Sequence, residues 1–163
     1  MKENIITEVT DVALSIKEAI EDKNPEKLKE LFLPNAKVNL FGRFNTVARL
    51  ISEIKVIMEH IEQPMMDIIK IEESEFKERS AFVTFITENS WIDQRLWEEQ
   101  SEYGAMSLEL NREKKGWLIS GLTLSRLPKY DIEASVKFPD LETGAIGRDP
   151  TDSGIDALFN IWY

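Results

Sequence analysis

Residues 81–93 read AFVTFITENSWID, and this stretch decides the fold. Counted by two, Ala81, Val83, Phe85, Asn89, Trp91 and Asp93 fall on one side, while Phe82, Ile86 and Ile92 fall on the other. A period of two is that of a β-strand. Apolar side chains on both sides mean that the strand is covered on both faces. On the first side the apolar run ends in Asn89, Trp91 and Asp93, so a carboxylate can close a pocket that Val83 and Phe85 begin.

Downstream and upstream of this stretch the β pattern continues from about residue 65 to 127 with short polar breaks. Four strands fit: 67–76, 81–93, 102–112 and 117–126, with turns near 77–80 and 113–116 and a longer bend over 94–100. In the last strand Trp117, Ile119, Gly121 and Thr123 share one face by simple alternation, and Leu118, Leu122 and Leu124 share the other. If helices cover one face of this meander, a second subunit or the chain's own tail is needed for the other.

The residues before the meander change period. Ile5, Val9, Val12, Ala13, Ile16 and Ile20 recur at three- and four-residue steps and predict an amphipathic helix. Asn24-Pro25 is a start signal for a short second helix carrying Leu28, Leu31 and Phe32, which Leu33-Pro34 ends. Val38 and Leu40 alternate with Lys37 and Asn39, which predicts a strand over 36–41 closed by Gly42. Asn45 or Thr46 can cap a third helix with a stripe from Val47 to Ile61, and Pro64 is expected to stop it.

Two helices, a strand, a long helix and a four-strand meander make an α+β architecture with helices segregated to one face. This order, the turn Asp22-Lys23-Asn24-Pro25, the phrase Leu31-Phe32-Leu33-Pro34-Asn35-Ala36 and the strand opening Gly116-Trp117-Leu118-Ile119 together resemble the nuclear transport factor 2-like superfamily, in particular its SnoaL-like and calcium/calmodulin kinase association-domain branches. The resemblance covers residues 5–127. It implies a cone, a curved and mostly antiparallel sheet wrapped round a long helix in a cystatin-like arrangement, with a hydrophobic pocket at the wide end and a homodimer packed through the sheets. Members of the superfamily include isomerases, dehydratases, cyclases and plain assembly modules, so the fold does not choose the function.

Composition bounds the rest. Of 163 residues 42% are hydrophobic, enough for one packed domain. A net charge of −10 repels phosphate backbones and anionic lipid, so neither nucleic acid nor membrane is an expected partner. The absence of cysteine removes disulfides and thiolate chemistry. Without an apolar leader or spanning run, the expected location is the cytoplasm. One histidine and carboxylates without ligand spacing give no metal site, and no cofactor motif is present.

Enzymes of the superfamily use a cavity aspartate or histidine as base, helped by a tyrosine or second acid. Asp93 is the candidate base here, with His60 or Tyr103 assisting, and Trp91, Trp97, Glu102 and Trp117 are the candidate pocket residues. The competing reading leaves Asp93 and Arg95 at the start of a solvated bend, the tryptophans as core, and His60 as a helix-end residue. The primary expectation is a non-catalytic small-molecule-binding or assembly module, or an accessory subunit of a larger enzyme. The alternative is a SnoaL-like isomerase, dehydratase or cyclase acting on a small hydrophobic carbonyl substrate.

Residues 1–127 form the expected domain, and 128–163 an arm beyond it. The arm carries Tyr130, Phe138, Phe159, Trp162 and Tyr163, five of the fifteen aromatics. Disordered segments are poor in such residues. These aromatics are therefore the expected anchors by which the arm packs on its own cone, a dimer mate or another protein.

Overall fold

The computed structural model describes residues 2–128. The chain runs through α1 (Lys2–Glu21), a 3-10 helix (Pro25–Leu31), β1 (Phe32–Leu40), β2 (Arg43–Asn45), α2 (Val47–Met58), β3 (Ile61–Phe76), β4 (Ser80–Asp93), β5 (Glu98–Glu113) and β6 (Gly116–Leu127). One six-stranded sheet has the order β2-β1-β6-β5-β4-β3. Every neighbouring pair is antiparallel except β1 with β6. The parallel joint follows from the path: α2 carries the chain to the far edge, and the meander brings it back to lie beside β1.

The core lies between the inner face of this sheet and the two α-helices. Val83 and Phe85 of β4, Leu108 of β5 and Ile119 of β6 are fully buried there with Val9 and Ala13 of α1 and Leu50 and Ile51 of α2. Each large aliphatic or aromatic side chain removed from water contributes roughly 1.5–3 kcal/mol. Thr46 caps α2, its hydroxyl accepting from the Arg49 N–H at 3.2 Å. Asn24 makes no such bond, and the segment after it is a 3-10 turn rather than an α-helix.

Three boundaries differ from the sequence expectation for identifiable reasons. Helix α2 ends at Met58, and Pro64 lies inside β3. As an edge strand β3 tolerates a residue without an N–H, and its ladder to β4 shifts register between Glu62 and Met65, on either side of that proline. Leu33-Pro34 likewise falls within β1, which shifts register against β6 between Phe32 and Lys37. Gly42, expected to close a strand, instead turns the chain at φ +89° into the short strand β2, with its N–H donated to Asn39 Oδ1 at 3.0 Å.

A fourth difference alters which residues face the core. Leu110 pairs with Ile119 while Glu109 pairs with Gly121, so Ser120 is an extra residue in β6. Its hydroxyl donates to the Glu109 carbonyl at 3.1 Å. Such a bulge reverses the alternation beyond it. Leu122 and Leu124 therefore lie opposite Leu108 and Met106 and join the same core as Trp117 and Ile119, while Thr123 is exposed. Simple alternation had put the two leucines on the other face.

The free edge of β3 is tied to α1. Lys17 Nζ donates to the Met66 carbonyl at 2.7 Å and to Glu21 Oε2 at 2.6 Å, and the same Glu21 oxygen accepts the Met66 N–H at 3.0 Å. Both outward backbone groups of one edge residue are thus satisfied, which blunts an edge otherwise open to another strand. The hydrogen bond that Lys17 donates to Glu21 raises the Lys17 pKa above its usual 10.5. A raised folded-state pKa adds stability that is complete below the unfolded value and fades as pH rises through the folded one. A double-mutant cycle of Lys17→Ala and Glu21→Ala, read by urea unfolding, is expected to give a coupling of roughly 1 kcal/mol at neutral pH. That coupling should shrink in strongly alkaline buffer.

Candidate functional site

Alternation and pairing place three polar side chains together on the inner face. Asn89 of β4 lies opposite Glu102 of β5, and Thr87 lies opposite Gly104. Directly opposed residues share a face. These four residues form one wall of a cavity of about 110 Å³. The remaining wall is apolar: Leu50, Ile54, Ile57 and Met58 come from α2, with Ile20 of α1, Phe41 and Leu124. Glu102 is buried, at 7% exposure. A carboxyl group is costly to bury unless it is hydrogen-bonded or paired.

Gly104 keeps the polar wall open. A Cβ there would lie 3.2 Å from the Ser125 carbonyl oxygen and 3.5 Å from both Asn89 Nδ2 and Thr87 Oγ1. Any larger residue would press on the neighbouring strand and occupy the space between the polar groups.

Asp93 is held elsewhere. Its carboxylate accepts the Arg95 backbone N–H at 2.8 Å and the Arg95 guanidinium through Nη2 at 3.0 Å and Nε at 3.3 Å. Its carbonyl accepts the N–H groups of Leu96 and Trp97. The Arg95 side chain, opposed in part by burial, holds the Asp93 pKa below the usual carboxylate value. That combination is a turn-closing device between β4 and β5, and a carboxylate with lowered basicity is a weakened general base.

Of the other expected residues, His60 lies beside the same end of β4, its carbonyl accepting the Gln94 N–H at 3.1 Å, while Tyr103, Trp97 and Trp117 are placed apart from one another. His60 follows α2, where Nδ1 lies 2.8 Å from the Val56 carbonyl; a carbonyl only accepts, so Nδ1 carries the hydrogen of that bond. Tyr103 is next to Glu102 in β5 and so projects from the opposite face of the sheet. The structure therefore does not bring Asp93, His60 and Tyr103 to one point. Trp97, expected in the pocket, stands in the β4–β5 turn at φ 52° with 73% of its surface exposed. Trp117 is buried at the other end of the sheet, donating its indole N–H to Glu8 Oε2 at 2.6 Å beneath the Arg112 guanidinium. Trp91 is part of the core. Of the four expected pocket residues, Glu102 is the one in the cavity wall. Tyr130, Phe138, Phe159, Trp162 and Tyr163 lie outside the described residues.

Sequence reasoning missed Thr87, Gly104 and the α2 wall. Thr87 belongs to the same inner face as Phe85 and Asn89, so its place was implied by the alternation. Gly104 carries no signal until its partner on β4 is known.

No family model and no curated protein matches the sequence. Solved structures do match in shape. One is a nuclear transport factor 2-like superfamily protein from Salmonella enterica serovar Typhimurium, at 14% identity and TM-score 0.69 over 77% of this chain and 93% of that one. The chain has the nuclear transport factor 2-like fold. A candidate scytalone dehydratase from Novosphingobium aromaticivorans aligns with TM-score 0.71 at 13% identity, covering 77% of this chain and 86% of its own. A candidate calcium/calmodulin-dependent protein kinase II association domain from Xanthomonas campestris aligns with TM-score 0.65 at 14% identity, covering 75% and 87%. Similar cones thus serve a dehydratase candidate and an association-domain candidate, and at these identities the likeness fixes the fold alone. Neither described α-helix of this nuclear transport factor 2-like chain is long and apolar enough to cross a membrane.

The position of Asp93 makes a stability prediction. A lowered folded-state pKa contributes stability that is present above the unfolded value and lost as pH falls through the folded one. Asp93→Asn is expected to cost roughly 1–3 kcal/mol at neutral pH. In urea unfolding its difference from the parent should narrow as the pH is taken below about 3.8.

Proposed function

We propose that the protein is a small-molecule-binding module that takes an uncharged, mainly apolar ligand of about one ring, with a single hydroxyl or similar donor directed at Glu102. The observation that carries this reading is the cavity itself: an apolar wall from α2, β6 and α1 facing one cluster of Thr87, Asn89 and Glu102. Ligand sites are commonly built this way, with apolar area for affinity and few polar groups for orientation. The volume of about 110 Å³ bounds the ligand to a small one. An engineered apolar cavity of about 150 Å³ is known to accept benzene, so a somewhat smaller space makes one ring the upper limit.

A second reading is supported by the same carboxyl group and by the dehydratase candidates among the similar structures. A carboxyl in an apolar, water-poor pocket is the group type that moves a proton on a bound carbonyl compound. In that reading Glu102, rather than Asp93, is the acid or base.

Phenol and toluene, near in size, separate these expectations from non-specific uptake. Titrated into isotope-enriched full chain, phenol should shift amide signals around residues 87–89, 102–105 and 124–125 at several-fold lower concentration than toluene does. Glu102→Leu should remove most of that preference, and Leu124→Trp should abolish both responses by filling the space. Equal responses to phenol and toluene, or shifts elsewhere on the sheet, would contradict the proposal. A Glu102→Gln variant that still binds phenol but loses turnover of a carbonyl substrate would move the function to catalysis.

A further inference from the structure

The outer face of the meander contains side chains that the helices do not reach. Thr84 and Ile86 of β4 lie opposite Ser107 and Ala105 of β5, and Glu88 lies opposite Tyr103, all on the face away from the core. The Thr84 and Ser107 hydroxyls, 2.8 Å apart, confirm that this row shares a side. Helices α1 and α2 pack with Val83, Phe85, Met106 and Leu108 on the other side. Yet Ile86 is only 3% exposed and Tyr103 only 2%. Ile86 is flanked across the strands by Lys70 and Ala105, and Tyr103 by Glu88 and Leu127; such neighbours stand beside a tyrosine ring, which presents roughly 150–250 Å², rather than over it.

We propose that residues 129–163 of the same chain dock on the outer face of β4, β5 and β6, over Ile86 and Tyr103. Two observations choose this occupant over a second copy. Leu127, the last residue of β6, lies directly opposite Tyr103, so the remaining chain starts at the edge of this patch. That remainder is 35 residues long and carries five of the fifteen aromatics, far more apolar area than an unpacked segment usually holds. With the helices on one side and this segment on the other, the alternation of β4, apolar on both faces, is accounted for.

The parent chain has no cysteine, so a single introduced thiol carries a spin label without background. Ser135→Cys and Ala157→Cys, labelled in separate samples of the full chain, should each leave the folded amide spectrum recognisable. At least one label is expected to remove most of the signal intensity of residues 84–88 and 103–107 while sparing α1 and α2. In a mixture of labelled, unenriched chain with unlabelled, isotope-enriched chain, that loss should vanish, because the contact is within one molecule. Failure of both labels to broaden these signals would overturn the proposal. So would broadening that persists in the mixture, which would assign the face to a second copy, or broadening confined to another surface.

Discussion

Ser120 adds one residue to the last strand, and which side chains of the C-terminal strands meet the core depends on it. Before the bulge, Trp117 and Ile119 point inward by ordinary alternation. After it, the inward positions are Leu122 and Leu124, which close the sheet against Val38 and Leu40 of β1. Without the extra residue those two leucines would face outward and the threonine between them would face the helices. Because Leu124 is also part of the cavity wall, the same bulge shapes the site.

The sheet then has two faces of different character. Its inner face is apolar near the β5–β6 turn, where Val83, Leu108 and Ile119 are sealed by α1, and becomes polar toward Asn89 and Glu102. This gradient makes a pocket, since α2 contributes only apolar groups opposite the polar wall. Asp93, at the end of the same face of β4, is bound to Arg95 and to the turn, and Glu102 is the carboxyl in the cavity wall. In a fold that serves unrelated chemistries, this arrangement says more about what the chain does than the fold does.

Most of the architecture was legible in the sequence, because long amphipathic helices and alternating strands announce themselves by period. The inner row of β4 could be read as soon as Val83, Phe85 and Asn89 were counted by two. The bulge at Ser120 could not, since the residues around it offer no break in pattern and only pairing with Glu109 and Leu110 reveals the extra residue. Pro64 misled because proline marks both a helix stop and an edge strand, and only position in the sheet separates the two. For the site, Glu102 stood out as a carboxyl among aromatics, but Trp97 and Trp117 were drawn to it by residue type alone. The left-handed turn that exposes Trp97 and the bond that ties Trp117 to Glu8 are tertiary facts.

The central claim is that an apolar space lies between α2 and the polar wall of β4 and β5. A crystal of the full chain held under xenon pressure tests it most directly, because xenon enters dry apolar cavities large enough to hold it and reports their place by its scattering. The account predicts a xenon site bounded by Leu50, Ile54, Leu124 and Gly104. A fully packed interior there, with xenon absent or bound only at other places, would contradict it.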